Sequence, residues 1–246
     1  MRGVKVYGET MHTVCNVHHP LRYYSIMWTY LLSACLFLIT QDAAVAQDNR
    51  CYRLDGNTMN MVVFDNNEDI SMNFRYKLQF NTEKADELLY YVEGNYTEHK
   101  PHDYESLFIQ NGILHFFAFN PAPYGAGQSF GSHVATDYPV NNGTWVEVEF
   151  FRNYKRQIVV NGHVVNQTVT GMIVNGNDFV VTGTRTRMDL NKYIWLGGHP
   201  DIARLSSILT TFDGEIKDFY DLERNRKFDT PKESSIFNRE AICVDI

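Results

Sequence analysis

The chain has 246 residues, of which 44% are hydrophobic and 21% are charged, and its formal net charge at pH 7 is −7. This composition is typical of a globular protein with one large core, and an all-β domain commonly reaches this length as a single unit. The acidic charge argues against nucleic acid and against an anionic membrane surface as partners, because both are themselves negatively charged.

Residues 1–46 have the parts of a secretory signal peptide. Basic residues precede an apolar run at residues 26–39, and Ala44, Val45 and Ala46 supply the small residues that a signal peptidase reads. The run is shorter than the about 20 residues of a membrane-spanning helix. We therefore predict cleavage after Ala46 and a secreted protein; the alternative is an uncleaved leader that anchors the chain to a membrane.

Sequons and cysteines agree with secretion. Asn95, Asn142 and Asn166 each begin an Asn-x-Thr sequon, the acceptor for an N-linked glycan, and each is predicted to lie in or beside a turn. Without the leader, two of the four cysteines remain, Cys51 and Cys243, near the two ends of the chain. In an oxidising compartment this pair is expected to form one disulfide that clasps the termini, whereas in a reducing compartment it is two separate thiols.

The rest of the chain alternates apolar and polar residues with the period of a β-strand. The clearest case is residues 71–80, where one face carries Met72, Phe74, Tyr76, Leu78 and Phe80. Further strands are predicted at residues 88–93, 104–109, 113–119, 134–140, 192–196 and 214–220. Asn111 and Gly112 predict a tight turn between two of them.

A β-hairpin is predicted at residues 145–162. Val146, Val148 and Phe150 share one face of its first strand, residues 145–151. Residues 152–155 are polar and predict the turn, and residues 156–160 return as the second strand. Asn161 and Gly162 predict a further turn at its end.

Four stretches follow one another at the spacing of one domain: residues 70–76 (ISMNFRY), the hairpin that ends in Val160-Asn161-Gly162, residues 193–200 (YIWLGGHP) and residues 212–218 (FDGEIKD). They resemble the opening strand, the Trp-led central hairpin, the G-G-x-P strand and the closing F-x-G-C-I-x-D strand of laminin G-like domains. The resemblance covers residues 51–222. One departure is that Glu215 stands where many of these domains have a cysteine.

The resemblance implies the fold and the domain organisation. The fold class is all-β: a two-sheet antiparallel β-sandwich (jelly roll) of the concanavalin A-like kind, formed by residues 47–222. Residues 223–246 are then a tail that packs on this domain, and Cys243 pins its end.

The resemblance also implies calcium as a cofactor. Laminin G-like domains often bind one calcium ion at the rim of the sandwich, through an acidic residue just before the strand that begins here at Tyr104. Asp103 occupies that position, and the second ligand is expected from a later loop, where Asn175, Asn177 and Asp178 offer the hard oxygens that calcium prefers. The alternative is that all of these are solvated turn residues.

Two surface features are candidate binding sites. A basic cluster is predicted on the hairpin turn, and it would attract sulfated or acidic glycans, which are known partners of the family. A Gly- and Pro-rich loop at residues 120–132 carries two aromatic residues that could contact a protein or a sugar, or fold back on the sandwich. The residues concerned are Arg152, Lys155 and Arg156, with Arg185 and Arg187 as additions, and in the loop Tyr124 and Phe130.

We therefore expect a secreted, non-catalytic binding module for adhesion or extracellular-matrix recognition, whose partner is an extracellular or cell-surface protein or glycan. The alternative is a lectin-like glycan-binding module. A jelly-roll glycoside hydrolase is less favoured, because it needs two suitably spaced carboxylates. Glu147 and Glu149 supply an acid pair on one strand, but Phe151 occupies the position of the third acid that retaining members use.

Overall fold

A computed structural model describes residues 50–57, 60–94, 102–121, 131–182, 187–232 and 240–242. The chain divides into two units, residues 1–47 and 48–246, and every described residue belongs to the second. The predicted leader lies outside the described residues, as do the predicted site residues Asn95, Tyr124, Phe130, Arg185 and Cys243. Among the described residues, no helix has the length and apolarity to cross a membrane.

Strands make up most of the described structure, with one short helix. Their bounds are β1 (Arg50–Asp55), β2 (Val62–Asp65), β3 (Phe74–Thr82), β4 (Glu87–Glu93), β5 (Tyr104–Gln110), β6 (Ile113–Phe119), β7 (Ser132–Pro139), β8 (Val146–Val160), β9 (His163–Val174), β10 (Asn177–Thr182), β11 (Tyr193–Leu196), α1 (Ile202–Leu205), β12 (Thr210–Thr211), β13 (Asp213–Asp221), β14 (Arg226–Lys227) and β15 (Glu240–Ile242).

The described strands form two sheets that pack as a sandwich. The first has the order β10-β9-β8-β3-β13-β1-β15, with β14 beside β13, and the second has the order β2-β11-β4-β5-β6-β7, with β12 beside β4. The pairing of β12 with β4 is parallel, and the strands that form the body of each sheet pair antiparallel. This arrangement confirms the predicted all-β jelly roll.

The core lies between the two sheets and is rich in aromatic rings. On β3, Phe74, Tyr76, Leu78 and Phe80 are 0% exposed, as their alternation predicts. The fifth residue predicted for this face, Met72, is 55% exposed, so the prediction is wrong there. The reason is that β3 begins only at Phe74, and alternation assigns faces only within a strand.

Two-residue turns join β5 to β6 and β8 to β9. Asn111 and Gly112 have φ angles of 52° and 79°, and Asn161 and Gly162 have φ angles of 52° and 78°. Positive φ at both positions is the type I′ geometry that matches the twist of paired strands, and asparagine and glycine tolerate it best. The predicted tight turn between β5 and β6 is confirmed, and Asn161-Gly162 is the turn that joins β8 to β9.

The turn predicted at residues 152–155 is wrong. Those residues lie inside β8, a continuous strand of 15 residues. Their polar character reflects a β-bulge, since the register between β8 and β9 shifts between Phe151 and Tyr154, where Asn153 has a φ of 54°. A bulge and a turn use similar residues, because both need a backbone that leaves the regular extended conformation.

The residues after β13 pack on the sandwich. β14 pairs with β13, and the ring of Phe228 stacks on that of Phe219 with a centroid distance of 4.4 Å. β15 pairs with β1 and forms one edge of the first sheet, where Cys51 lies opposite Ala241. Chain segments from both ends of the second unit are therefore part of one sheet.

Candidate functional site

Asp103 lies at the rim of the sandwich, where β4 ends and β5 begins. Its backbone oxygen accepts a hydrogen bond from the Gly94 amide at 2.8 Å, which closes the connection between the two strands. Its carboxylate oxygen Oδ2 accepts a hydrogen bond from the Asp189 amide at 2.7 Å. The loop that precedes β11 is thus held against the start of β5, and it brings a second carboxylate, that of Asp189, to the same rim.

Gly94 permits this close approach. A Cβ atom built at Gly94 would lie 2.3 Å from the backbone oxygen of Asp189, which is closer than non-bonded atoms approach in proteins. The Asn191 amide donates to the backbone oxygen of Glu93 at 2.7 Å, and the Asn191 side-chain amide donates to that of Gly94 at 3.0 Å. These hydrogen bonds hold the loop before β11 against the end of β4, and they therefore fix the position of Asp189.

The rim is electrostatically suited to a cation. Burial raises the pKa of Asp103, the hydrogen bond from the Asp189 amide lowers it, and the negative charge of Asp189 raises it again, so that the net shift is upward. A half-buried carboxylate beside a second one is stabilised by any positive charge placed between them. The Asp189 carboxylate makes no hydrogen bond or ion pair with the described residues, and it is exposed.

The structure does not bring Asn177 or Asp178 to Asp103. Asn177 lies near the Tyr138 hydroxyl, at 3.5 Å, beside the end of β7. That end of β7 pairs with the start of β6, which adjoins the far end of β5. β5 has seven residues, so the two places are about 20 Å apart at the usual rise of an antiparallel strand. The predicted ligand set is therefore wrong in its second half, since the hairpin that carries Asn175, Asn177 and Asp178 lies at the other end of the sandwich.

Asp178 has a different partner. Its carboxylate takes two hydrogen bonds from Arg156, at 2.9 and 2.7 Å. This bidentate ion pair joins β10 to β8 across β9. It neutralises the charge of Arg156, one member of the predicted basic cluster. Lys155 is exposed on the same strand, and Arg187 is exposed in the loop before β11.

Arg152 does not belong to a basic surface patch, so that prediction is wrong. Its side chain is 0% exposed and forms an ion pair with Glu105 of β5, which is also 0% exposed. Arg152 further donates to backbone oxygens of Ser71 and Met72 at 2.8 and 3.1 Å. The residue therefore links the two sheets and secures the chain that enters β3, because a buried guanidinium must have its donors satisfied.

The remaining predicted residues are one cysteine and two sequon asparagines. Cys51 is buried and disulfide-bonded, while its predicted partner lies outside the described residues. Asn142 and Asn166 are exposed, as a glycan requires. Asn142 lies in the connection before β8, but Asn166 lies within β9 opposite Gln157, so its predicted place beside a turn is wrong.

The acid pair on β8 is held by cations. Glu147 pairs with Lys77 at 2.7 Å, and Glu149 pairs with Arg75 at 2.6 Å. All four side chains extend from neighbouring strands of the first sheet, on the side opposite the core. Each carboxylate therefore has a counter-charge across the strand pair.

Comparison with known proteins identifies the family. The sequence model of the family described as "Laminin G domain" matches residues 80–221, which is more than half of the chain. The chain belongs to the laminin G domain family. No curated protein sequence matches it.

A solved laminin structure has the same fold. Domains LG4-5 of the mouse laminin alpha1 chain superpose with a TM-score of 0.53 at 21% identity, covering 74% of this chain and 44% of that one. The LG1-3 region of the laminin alpha2 chain gives 0.43 at 15% identity, with 70% and 32% covered. The binding domain of botulinum neurotoxin DC, in complex with SialylT, gives 0.36 at 14% identity, with 72% and 38% covered. This chain thus spans less than half the length of each of these solved chains.

Asp189 and Gly94 are the rim residues that sequence reasoning missed in this laminin G domain. Asp189 stands four residues before the strand with the G-G-x-P motif, in a stretch where no alternation marks its orientation. One signal was present: Gly94 directly follows a strongly apolar strand, and glycine there indicates a close backbone approach. The partner of that approach is a long-range fact that only the fold supplies.

Proposed function

We propose that this laminin G domain is a secreted, non-catalytic binding module for adhesion or matrix recognition, with calcium held at the Asp103–Asp189 rim. The observation that carries the proposal is the meeting of two carboxylates from separate loops around Gly94. Loops on a rigid sandwich are the usual place for recognition, because they can vary without disturbing the core. The partner would be an extracellular or cell-surface protein or glycan.

The residues present fit calcium in part. Asp103 uses only Oδ2 in its hydrogen bond to Asp189, and both carboxylates can offer further oxygens. Calcium takes six to eight oxygen ligands, so backbone carbonyls and water must supply the rest. The described residues contain no group of three or more His, Cys, Asp or Glu side chains that could hold a metal, so the proposed site rests on two carboxylates. A bound calcium ion would supply positive charge for an acidic group of the partner.

Secretion rests on the leader and on the exposed sequons. Residues 1–46 carry the pattern of a signal peptide, and two of the three sequon asparagines, Asn142 and Asn166, are exposed. The buried, disulfide-bonded Cys51 agrees with an oxidising compartment, and Cys243 is its proposed partner. Production of the full chain in mammalian cells tests this part, because a secreted product begins at Gln47 and loses mass on deglycosylation.

Calorimetric titration of the secreted protein with calcium tests the rim. We expect a dissociation constant of about 0.1–1 mM, the range of extracellular calcium modules. Asp103→Asn should abolish the heat, while Asp178→Asn, at the opposite end of the sandwich, should leave it unchanged. Absence of heat in the unmodified protein, or equal loss in both variants, would remove calcium from the proposal.

A lectin-like glycan-binding module is the second candidate function. The observation that favours it is a cavity lined by aromatic rings on the outer face of the second sheet. Flat apolar rings combined with a few polar groups suit a small polar ligand with apolar faces.

A further inference from the structure

The cavity has a volume of about 330 Å³ and lies on the side of the second sheet that faces away from the core. Its floor is β5, and one wall is formed by Arg204 and Leu205 of α1 with Leu209 beyond it. The volume is at the lower end of the about 300–1,000 Å³ that small-molecule sites occupy. The rim residues Asp103 and Asp189 do not line it, so the two candidate sites are separate.

Ser106 forms the low point of the floor. It pairs with Tyr91 of β4 on one side and with Phe117 of β6 on the other. Tyr104 and Phe108, two residues before and after it, share its face of the sheet. Directly opposite and same-face neighbours in a sheet lie close enough for large side chains to meet. One short side chain among four rings therefore leaves a hollow.

The floor has hydrogen-bonding capacity that the protein does not use. Ser106 is 5% exposed, and its hydroxyl makes no hydrogen bond with the described residues. The side-chain amide of Gln110, also in the lining, makes none either. A hydroxyl and a side-chain amide can each both donate and accept a hydrogen bond. A ligand that carries hydroxyl groups would satisfy both side chains.

The charged groups at the other end of the cavity are already matched. Arg204 donates to Glu93 at 2.9 Å and to Asp201 at 2.9 Å. Glu93 also accepts hydrogen bonds from the Tyr91 hydroxyl at 3.0 Å and contacts His102 at 3.1 Å. An anionic ligand would have to compete with two carboxylates for Arg204. A neutral ligand has no such cost.

We infer that this cavity binds one neutral pyranose ring of a glycan. The C–H faces of the sugar pack on the negatively polarised faces of the Tyr104 and Phe117 rings. Its hydroxyl groups bond to Ser106 and Gln110. The inference deepens the second candidate function and does not depend on the calcium rim.

Titration of the secreted protein with methyl glycosides tests the inference. The probes are the methyl glycosides of glucose, galactose, mannose and N-acetylglucosamine, with 3′-sialyllactose and a heparin disaccharide as anionic comparisons. Binding is followed by saturation-transfer difference NMR and calorimetry, with and without EDTA. The variants are Ser106→Leu, which fills the hollow, Phe117→Ala, which removes one ring, and Gln110→Ala. Phe179→Ala is the matched control, because Phe179 is also a partly buried ring but lies on β10 of the first sheet and does not line the cavity.

We expect at least one neutral glycoside to bind below about 10 mM, and Ser106→Leu or Phe117→Ala to weaken it about tenfold or more. Phe179→Ala and EDTA should leave binding unchanged. Circular dichroism and thermal unfolding check each fold, and Gln110→Ala at a partly exposed position serves if a ring variant unfolds. The inference is overturned if no neutral glycoside binds, if only the anionic probes bind, or if Phe179→Ala or EDTA abolishes binding. Loss with EDTA would assign the sugar to the rim.

Discussion

The two halves of β8 both carry apolar residues, but their surroundings differ. In residues 146–152, β8 lies between β3 and β9, and Val148 and Phe150 are 0% exposed. In residues 155–160 it pairs with β9 alone, and Val159 is 71% exposed. The first half alternates apolar and polar residues, whereas the second has three polar residues followed by three apolar ones. The comparison teaches that apolar residues in a strand do not by themselves predict burial, since a neighbouring strand and an opposing sheet determine whether the face that carries them is covered.

Arg152 marks the boundary between the halves. It is the last residue of β8 that pairs with β3, opposite Phe74, and the bulge follows at once. Its buried guanidinium reaches Glu105 on the second sheet and the backbone that leads into β3. Beyond it the strand leaves the sandwich, and Arg156 forms its ion pair with Asp178 at the surface. The two arginines thus offer a matched test of the two halves.

The largest effect is expected from breaking the buried pair. Arg152→Met leaves the Glu105 carboxylate buried without a partner, which should lower the free energy of unfolding by about 3–5 kcal/mol. Arg156→Met removes a surface pair and should cost about 1 kcal/mol or less. Urea unfolding of both variants measures the difference. Arg152→Met with Glu105→Leu should recover part of the loss, because no buried charge remains. Equal costs for the two arginines would mean that the boundary has no energetic significance.

The same boundary shows how far sequence reasoning could go. The period of two predicted the buried faces of β3 and the first half of β8 correctly, because those patterns are local. It could not distinguish a bulge from a turn at Asn153, since the distinction depends on which strand continues alongside. Arg152 was assigned to the surface because residues 152–155 were predicted to form the hairpin turn, and arginine is rarely fully buried. Its partner Glu105 is 47 residues away, and Asp189 is 86 residues from Asp103, so neither pairing has a local signal.

A second buried carboxyl should make the stability of the interior depend on pH. Burial raises the pKa of Glu87 from 4.5 to about 7, although hydrogen bonds from the Thr82 hydroxyl and the Asp213 amide lower it. The folded state then holds the proton more tightly than the unfolded state. The resulting stability is complete below pH 4.5 and is lost as the pH rises through 7, by about 3 kcal/mol at most.

Urea unfolding between pH 4.5 and pH 7 checks this sign. The unmodified protein should lose stability over that interval, and Glu87→Gln, which keeps the acceptor oxygen without the charge, should lose less. Glu147→Gln, on the outward face of β8, is the control and should follow the unmodified protein. An identical pH profile for Glu87→Gln and the unmodified protein would show that Glu87 does not titrate in this range.

The smallest effects come from one substitution made in each half of β8. Val148→Ala removes two methyl groups from the core and should cost about 1.5–3 kcal/mol. Val159→Ala removes the same groups from a side chain that is mostly in water and should change stability by about 0.5 kcal/mol or less. Both are measured by urea unfolding at two protein concentrations, and amide hydrogen exchange should be faster in residues 155–160 than in residues 146–152. If Val159→Ala costs as much as Val148→Ala, the concentration series separates two causes. A cost that grows with concentration would mean that a second copy covers the hairpin, and a constant cost would mean that the second half of β8 is buried within one chain.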